Sequence, residues 1–509
     1  MLVEGNKILI NGKEYTLGAK LGGGKEGSVF DLVEKKGAVV KIINDSTMSK
    51  IQRNELYAHL KWLYNLGRQA DKKELRQYMA LPLGLLDDEL GYAMLKAGEH
   101  DPLNKYITVP EIDGEFDTWY REKYTLKKRY QIIVNLFDAL RKIHLSGLIF
   151  TDLSPNNIMV HQEQNQIVFI DTDNTRKRTD SYLSVLGTPG YMAPEVYRKP
   201  DINLAKEHNI DPKLLANSGR ITTESDIFSA AVIAFQLLAL WHPFIGDEIE
   251  EGTPEDEERA LEIKTDYIFK TGTSNTCSYA LVPQFEELTT PEIRRLFERT
   301  FVDGRDQPAI RPTAEEFLEA FQNALDMIVE CPSCGFSRIY APGEANLCIG
   351  CGSRFQEQTM LVIYNVFSNI GRDEVINNIG EYPQYDVDLE NLLTEGNAPV
   401  NHMETCRIVL APNETKSLYL RHFECNTDRS EIYAQVTLDN GARMVKVIVS
   451  KAMFPDAFLI EKDTNKRKSL NDGQVNRGQE FVADRHGIVF DTRRHGNGYI
   501  KIFGKFARE

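Results

Sequence analysis

The stretch LIFTDLSPNNIMV, from Leu148 to Val160, decides the fold of this chain, and its polar residues raise a chemical question. Asp152 is followed five residues later by an amide, Asn157, on a loop that ends in the strand-like run IMV. A carboxylate can act as a base and an amide oxygen can bind a hard cation, so one loop carrying both suits a reaction that needs a base and a metal ion. The segments on either side of this loop indicate which reaction that is.

A glycine-rich segment, GGGKEGSV, lies upstream, with Gly22, Gly24 and Gly27 in the spacing GxGxxG and Val29 after them. The spacing alone is a weak signal, because glycine-rich hairpin turns are common. A Rossmann fold would need a helix directly after the glycines, whereas SVFDLV continues as a strand. The other interpretation is a strand-turn-strand loop that covers phosphates. It predicts a lysine on the next strand, and AVVKI supplies Lys41.

Downstream of the opening stretch, IVFIDTDN offers a second carboxylate, Asp171, at the end of a predicted strand. Phosphoryl transfer requires a base near the acceptor hydroxyl and oxygen ligands for Mg²⁺. Asp152 suits the base, whereas Asn157 and Asp171 suit the ligands. Together with the glycine loop and its lysine, these residues indicate a site for phosphoryl transfer.

From about Tyr15 to Leu325 the chain resembles the eukaryotic-like (Hanks-type) serine/threonine protein kinases. The shared motifs occur in family order: the glycine loop, AVVK, TDLSPNN beside HRDLKPEN, DTD beside DFG, GTPGYMAPE, DIFSAAV beside DxWSxG, HPF and RPT. Eight motifs in order over this length leave little room for chance. The resemblance implies a bilobal α+β kinase fold and a structural ion pair between Glu195 of APE and Arg311 of RPT.

The resemblance also implies how ATP would be held. Lys41 would bind the α- and β-phosphates and pair with a glutamate on the following helix. Glu55 is the only acid in the predicted helical run 47–66, so it is assigned to that pair. The other candidate ATP-binding residues lie in the glycine loop and near the hinge: Gly22, Gly24, Gly27, Val29 and Met94.

For the acceptor side, the resemblance implies that Asp152 orients and deprotonates the hydroxyl. Asn157 and Asp171 would hold Mg²⁺ or Mn²⁺. In serine/threonine kinases the threonine of GTPGYMAPE, here Thr188, packs beside the catalytic aspartate, whereas tyrosine kinases build this loop differently. Serine and threonine hydroxyls of proteins are therefore the expected acceptors.

Several residues depart from the family pattern. Phe150 and Thr151 replace its His and Arg, Ser154 replaces its Lys, and Thr172-Asp173 replace its Phe-Gly. The nucleotide-binding lysine, the base and the metal ligands are retained, whereas a pseudokinase is expected to lose one of them. Two alternatives stay open: a nucleotide-binding pseudokinase that acts as a scaffold, and a kinase-fold enzyme that modifies a small molecule or transfers another group.

Two CxxC pairs follow, Cys331 with Cys334 and Cys348 with Cys351, and each pair is followed by a glycine. Two thiolates on one tight turn can bind a single ion, and two such turns make a tetrahedral Cys₄ site of the zinc-ribbon type. All four positions are then thiolates and none is open to a substrate, so Zn²⁺ is expected to be structural. A module this small cannot bury a core without the metal.

Beyond Phe355 short alternating runs such as EIYAQVTL and MVKVIVS are separated by turn signals, which predicts an all-β sandwich or barrel of unknown ligand. The expected domains are a kinase domain at 1–325, with lobes at about 1–97 and 98–325, a zinc ribbon at 329–356 and the β domain at 357–509. The latter two are expected to regulate or recruit.

The overall composition limits the partners. The 75 acids and 60 bases give a net charge of −15, which argues against nucleic acid and anionic membranes. The start MLVEGNKILI lacks the features of a signal peptide, and the apolar run Ile227–Trp241 is shorter than the roughly 18 residues of a membrane span. A cytoplasmic signalling enzyme of divergent bacterial type is expected. The resemblance further suggests a partner phosphatase and a von Willebrand factor A-type protein.

Overall fold

The computed structural model describes residues 2–24, 27–110, 115–179, 187–197, 221–262, 265–341, 346–355, 358–368, 400–423, 431–439, 444–449, 458–461, 467–469, 479–482, 486–491 and 500–508. The chain divides into two compact units, Met1–Leu318 and Glu319–Glu509. Within these described ranges, every helix falls short of the length and apolar character that crossing a membrane demands.

The first unit begins with a six-stranded antiparallel sheet in the order β1-β2-β3-β4-β6-β5. Its strands are β1 (Lys7–Ile10), β2 (Lys13–Gly23), β3 (Gly27–Leu32), β4 (Ala38–Ile43), β5 (Gly84–Leu85) and β6 (Gly91–Leu95). The turn between β1 and β2 is Asn11-Gly12, with φ of 47° and 76°. Both values are positive, as a two-residue hairpin of the primed type requires, and Asn-Gly is the preferred pair for it.

Successive residues of a strand point to opposite faces of a sheet, and this alternation gives the sheet two different surfaces. On one face Phe30, Val40 and Ala93 lie opposite one another on β3, β4 and β6 and belong to an apolar core with Leu17 and Leu86. The other face carries the neighbouring residues of the same strands, and it forms one wall of the candidate site.

The remainder of the first unit is mainly helical. Within the described residues the helices are α1 (Lys50–Leu66), α2 (Asn104–Ile107), α3 (Glu115–Thr118), α4 (Leu126–Leu145), α5 (Pro194–Tyr197), α6 (Thr223–Ala239), α7 (Asp247–Glu250), α8 (Pro254–Leu261), α9 (Phe285–Leu288), α10 (Pro291–Glu298), α11 (Ala314–Leu325) and α12 (Leu420–Phe423). The apolar residues Ile132, Ile133, Leu136, Leu140 and Ile143 recur at helical spacing and predict a helix from Leu126 to Leu145, and these are the bounds of α4. The apolar run Ile227–Trp241, too short for a membrane span, predicts a buried core helix, and this is confirmed because α6 is buried along nearly its whole length.

Short strands carry the loops between these helices: β7 (His100–Pro102), β8 (Leu148–Ile149), β9 (Ile158–His161), β10 (Ile167–Phe169) and β11 (Arg176–Lys177). Strands β9 and β10 form an antiparallel hairpin, and β8 pairs with β11. The opening stretch therefore runs from β8 into β9, with its polar loop between two short strands.

The second unit begins with a small hairpin of β12 (Ile328–Glu330) and β13 (Ser337–Ile339). Ten further strands lie in the described part of this unit: β14 (Thr359–Ser368), β15 (Val400–Leu410), β16 (Thr415–Tyr419), β17 (Ile432–Leu438), β18 (Met444–Val449), β19 (Phe458–Glu461), β20 (Arg467–Ser469), β21 (Gln479–Val482), β22 (His486–Asp491) and β23 (Ile500–Arg508). They form a six-stranded sheet, β15-β14-β23-β22-β19-β20, and a four-stranded sheet, β16-β17-β18-β21. In the larger sheet the last strand, β23, lies between β14 and β22.

A buried ion cluster joins distant segments of this second unit. Arg421 donates from Nη2 to the carboxylate of Asp326, and Nε2 of His422 lies 3.2 Å from the same oxygen. Burial alone would raise the pKa of Asp326, but the Arg421 charge and the His422 hydrogen bond outweigh burial and hold that pKa far below its usual range. The Asp326 carboxylate is therefore ionised and ties the residue after α11 to α12.

Candidate active site

One wall of the site is a row of residues that crosses the first sheet in register. Gly22 pairs with Val29, Val29 with Lys41, and Lys41 with Tyr92. Residues paired in this way share a face, which is the face opposite to the apolar core. Met94 lies on β6 two residues beyond Tyr92, on the same face, and is paired with Val39 and buried.

The three glycines of the GxGxxG segment differ in their surroundings. A Cβ at Gly27 would lie 2.3 Å from the carbonyl oxygen of Ile42, so Gly27 is needed for the close approach of β3 and β4. A Cβ at Gly22 or Gly24 would meet no atom within 4 Å. These two glycines therefore leave open space beside the row.

Lys41 is 6% exposed and lies among carboxylates. Its Nζ contacts Oδ1 of Asp171 and lies 3.1 and 3.0 Å from the two carboxylate oxygens of Asp173. The hydroxyl of Tyr92 is 3.5 Å from Oδ1 of Asp173. A buried cation is thus matched by two carboxylates of the DTD segment.

The electrostatics of this cluster follow from burial and from the three charges. Burial raises the pKa of Asp171, the negative charge of Asp173 raises it further, and it reaches about 6 despite Lys41. For Asp173, burial raises the pKa, but the Lys41 charge and the hydrogen bonds from both neighbours outweigh burial and lower it. Burial lowers the pKa of Lys41, and the charges of Asp173 and Asp171 reverse this and raise it. Asp173 is accordingly the more acidic of the two carboxylates beside Lys41.

The loop that carries Asp152 is anchored to helix α6 by backbone hydrogen bonds. Asp226 of that helix accepts hydrogen bonds from the backbone N–H groups of Phe150, at 2.8 Å, and of Thr151, at 2.9 Å. Nε2 of His144 lies 3.0 Å from the same carboxylate. Thr151 has a φ of 77° and donates from Oγ1 to the carbonyl oxygen of Asn174 at 2.7 Å. The loop is therefore fixed both to α6 and to the segment after Asp171.

Asp152 itself is partly exposed and has two defined neighbours. Thr188 donates from Oγ1 to Oδ1 of Asp152 at 2.9 Å. Asn157 donates from Nδ2 to the backbone carbonyl oxygen of Asp152 at 2.9 Å, and the backbone carbonyl oxygen of Asn157 accepts from the N–H of Ile170 at 2.9 Å. That last bond links the loop to the residue before Asp171.

The segment that contains Thr188 is supported by residues from α6 onwards. His242 lies with Nε2 3.0 Å from the carbonyl oxygen of Gly190, and its Nδ1 accepts from the N–H of Phe244 at 3.3 Å. Both ring nitrogens are thus satisfied in the neutral form, and burial lowers the pKa of His242 to about 4. The predicted pair of Glu195 and Arg311 is confirmed, with two parallel bonds of 2.7 Å.

The structure brings together most of the candidate residues but leaves one apart. Glu55 is exposed on α1, and among the described residues Lys41 makes its ion pairs with Asp171 and Asp173 instead. This differs from the predicted pair of Lys41 and Glu55. Sequence reasoning also missed Asp173, although the second acid of DTD was a visible signal.

A separate candidate metal centre lies in the second unit. The sulfur atoms of Cys331, Cys334, Cys348 and Cys351 all lie within 4.8 Å of one another. The Sγ atoms of Cys331 and Cys351 are 3.8 Å apart, and those of Cys334 and Cys348 are 3.3 Å apart. A tetrahedral ion with bonds of about 2.3 Å needs sulfurs about 3.8 Å apart, so the cluster fits one.

The two CxxC turns of this centre have the same backbone geometry. The N–H of Gly335 donates to the carbonyl oxygen of Cys331, and the N–H of Gly352 donates to that of Cys348, each at 2.8 Å. The φ values of the two glycines are 75° and 71°. Only glycine adopts this conformation readily, so both glycines are required by the turns that aim the thiols.

Comparison with known proteins bears on the first unit. The family model described as "Protein kinase domain" matches residues 15–321, which is more than half of the chain. The chain is 24% identical over 247 residues to the dual specificity protein kinase TTK of Mus musculus, covering 47% of this chain and 25% of that protein. It is 24% identical over 311 residues to calcium-dependent protein kinase 25 of Arabidopsis thaliana, covering 60% of this chain and 49% of that protein.

A bacterial relative matches a shorter segment. The serine/threonine-protein kinase PknG of Mycobacterium leprae (strain TN) is 34% identical over 77 residues, which cover 15% of this chain and 10% of that protein. The chain thus spans half or less of the length of these three relatives. The family model covers most of the first unit, and the lysine among carboxylates and the hydrogen bond from the threonine of GTPGYMAPE to Asp152 agree with it. The chain belongs to the protein kinase family.

Proposed function

We propose that the protein is an ATP-dependent serine/threonine protein kinase that transfers the γ-phosphate to protein hydroxyls in cytoplasmic signalling. The observation that carries the proposal is the hydrogen bond from Thr188 to Asp152, because it joins the acceptor-side base to the loop that marks serine/threonine kinases. The kinase domain would comprise 1–325 as a bilobal fold, with lobes at about 1–97 and 98–325.

The nucleotide would bind against the row on the first sheet. The open space at Gly22 and Gly24 supports this, since a phosphate can approach backbone N–H groups where no Cβ intervenes. Gly27, Val29 and Met94 complete the proposed contacts, with Lys41 as the cation for the phosphates.

The metal ligands would be Asn157 and Asp171. Nδ2 of Asn157 donates to the backbone of Asp152, which leaves its amide oxygen as the atom for an ion. A carboxylate and an amide oxygen suit Mg²⁺ or Mn²⁺, which are hard cations. When bound, the metal would neutralise the charge of the ATP phosphates.

The chain's own residues would act on the acceptor. Oδ1 of Asp152 is held by Thr188, which leaves Oδ2 to accept the proton of the substrate hydroxyl. The hydroxyl oxygen bonds to the γ-phosphorus, the bond to the β–γ bridging oxygen breaks, and ADP leaves. Asp226 would fix the backbone on which Asp152 sits, so that the carboxylate is oriented before substrate arrives.

The second unit would hold two accessory modules that regulate or recruit. The first is a zinc ribbon at 329–356, whose Cys331, Cys334, Cys348 and Cys351 would bind a structural Zn²⁺. The second is an all-β domain at 357–509. A divergent bacterial origin, a partner phosphatase and a von Willebrand factor A-type protein stay predictions that rest on resemblance.

Transfer of labelled phosphate to peptide pools tests the proposal. Wild-type protein is expected to label serine and threonine peptides in preference to matched tyrosine peptides. Asp152→Asn is expected to slow turnover by about 10² to 10⁴-fold, the usual contribution of a general base. Asp88→Asn is the matched control, since Asp88 is exposed in the turn before β6.

Intact-mass measurement of the products separates the alternatives. Addition of a phosphoryl group supports the proposal, whereas addition of a nucleotidyl group would contradict it. Binding of MgATP with no transfer to any peptide, by wild type and Asp152→Asn alike, would point to a pseudokinase.

A further inference from the structure

A buried lysine needs a carboxylate that holds its ammonium group in place. Helix α1 offers one acid, Glu55, and its side chain is exposed. The inward face of α1 near this position carries His59, whose Nε2 lies 2.8 Å from Nη1 of Arg176. Within the described residues, α1 therefore contributes no carboxylate to Lys41.

The DTD segment supplies what the helix does not. Nζ of Lys41 lies at nearly equal distances, 3.1 and 3.0 Å, from both oxygens of Asp173. A charge-assisted contact to both oxygens of a carboxylate restricts the ammonium more than a contact to one. The buried hydroxyl of Tyr92, 3.5 Å from Oδ1, borders the same carboxylate.

We propose that Asp173 is the positioning residue that holds Lys41 for the nucleotide phosphates, in place of a carboxylate from helix α1. This inference rests on the proposed function, because the task of Lys41 is to bind the phosphates of ATP. Asp173 occupies the position of the glycine in the DFG motif of kinases. Because glycine has no side chain, only this substitution allows the residue at this position to contact Lys41.

The two carboxylates around Lys41 are not equivalent. The side chain of Asp173 is 14% exposed and that of Asp171 is 27% exposed. Asp171 is the more accessible to an incoming ion, while Asp173 is enclosed beside Lys41 and Tyr92. A metal ion that takes Asp171 would leave the Lys41–Asp173 pair intact, so the two acids divide metal binding and lysine positioning between them.

This arrangement has a consequence for control of the enzyme. The carboxylate that positions Lys41 lies two residues from Asp171, on the same short segment. The ability of Lys41 to bind phosphates then does not depend on a movement of α1 that would bring Glu55 to the sheet. This chain therefore cannot be regulated by moving α1 so that its glutamate approaches or leaves Lys41.

Binding of ADP and adenosine in the presence of EDTA tests the proposal, because the two differ by the phosphates that Lys41 contacts. Calorimetry on the full chain is expected to show that Asp173→Asn weakens ADP binding about tenfold, the size of one charge-assisted hydrogen bond, and leaves adenosine binding unchanged. Asp173→Gly is expected to do the same and provides a second variant should the first fold poorly. Asp88→Asn is the matched change at an exposed acid.

The Mg²⁺ dependence of transfer separates positioning from metal binding. Asp171→Asn is expected to raise the Mg²⁺ concentration needed for half-maximal rate, and Asp173→Asn is expected not to. An Asp173→Asn protein that needs more Mg²⁺ but binds ADP normally in EDTA would overturn the proposal, as would a Glu55→Gln protein that loses ADP affinity while Asp173→Asn keeps it. A wild type that binds ADP no better than adenosine would instead refute the proposed function, and with it this inference.

Discussion

Thr151 adopts a φ of 77°, a conformation that β-branched residues seldom take and that costs about 1–3 kcal/mol. Two hydrogen bonds offset this cost, one from its N–H to Asp226 and one from its Oγ1 to the carbonyl oxygen of Asn174. The family pattern has an arginine here. A neutral hydroxyl therefore ties the loop of Asp152 to the segment after Asp171.

His242 makes the stability of the first unit depend on pH. Its pKa is about 4 in the folded protein, against 6.5 for an exposed histidine, so the unfolded chain binds more protons between these values. Its contribution to stability is full above about pH 6.5 and is lost as pH falls from there to about 4, by about 3 kcal/mol in all. His242→Asn replaces the imidazole with an amide, which can still hydrogen-bond but does not titrate, so it should abolish this part of the pH dependence.

Urea denaturation followed by tryptophan fluorescence measures this effect, because all three tryptophans, Trp62, Trp119 and Trp241, lie in the first unit. The free energy of unfolding of wild type should approach that of His242→Asn as pH falls. Parallel curves for the two proteins across this range would contradict the assignment.

At the scale of single residues, the sequence predicts the contacts that follow the family pattern and misses the contacts that depart from it. The pair of Glu195 and Arg311 is confirmed, because both residues belong to motifs with a fixed spatial relation. The contact of Lys41 with Asp173 could not be derived from spacing, since the two residues lie 132 positions apart and meet only once β4 and the DTD segment are packed.

Among the elements, the glycine loop between β2 and β3 allows a matched pair of variants. Gly27→Ala places a Cβ 2.3 Å from the carbonyl oxygen of Ile42 and should destabilise the sheet by about 1–3 kcal/mol, because backbone cannot move aside cheaply. Gly22→Ala meets no atom within 4 Å and should leave stability unchanged while weakening ATP binding about tenfold, or about 1.4 kcal/mol.

Thermal unfolding and ATP titration of both proteins provide the measurements. Equal losses of stability in Gly22→Ala and Gly27→Ala would show that the loop is wholly structural. Unchanged ATP affinity in Gly22→Ala would contradict the proposal that the nucleotide binds beside Gly22.

Elements set by local signals are the ones that the sequence predicts well. Helix α4 has the bounds that its apolar stripe predicts. Helix α1 begins at Lys50, three residues after the start of the predicted run 47–66, because Ser49 and Gln52 form a capping box there. The pairing of distant strands has no such local signal. The runs EIYAQVTL and MVKVIVS read as strands and do pair as β17 and β18, but nothing in them predicts the two separate sheets.

For the molecule as a whole, metal removal should act on one unit only. A strong chelator is expected to unfold the turns that carry Cys331, Cys334, Cys348 and Cys351, because zinc binding worth roughly 10 kcal/mol is their folding energy. The tryptophan fluorescence of the first unit should be preserved, since that unit has its own core. Elemental analysis before and after treatment checks the metal, and a fully folded preparation without zinc would refute the assignment.

The position of β23 bears on how the protein is made. Residues 500–508 are synthesised after every other strand of the six-stranded sheet, yet they lie at its centre, between β14 and β22. While translation is under way, β15-β14 and β22-β19-β20 are two fragments whose inner edges have no partner, and such edges invite pairing with other chains. A product that ends short of residue 500 thus has a complete first unit and two sheet fragments with unpaired edges. Such a product is expected to be recognised by chaperones and proteases.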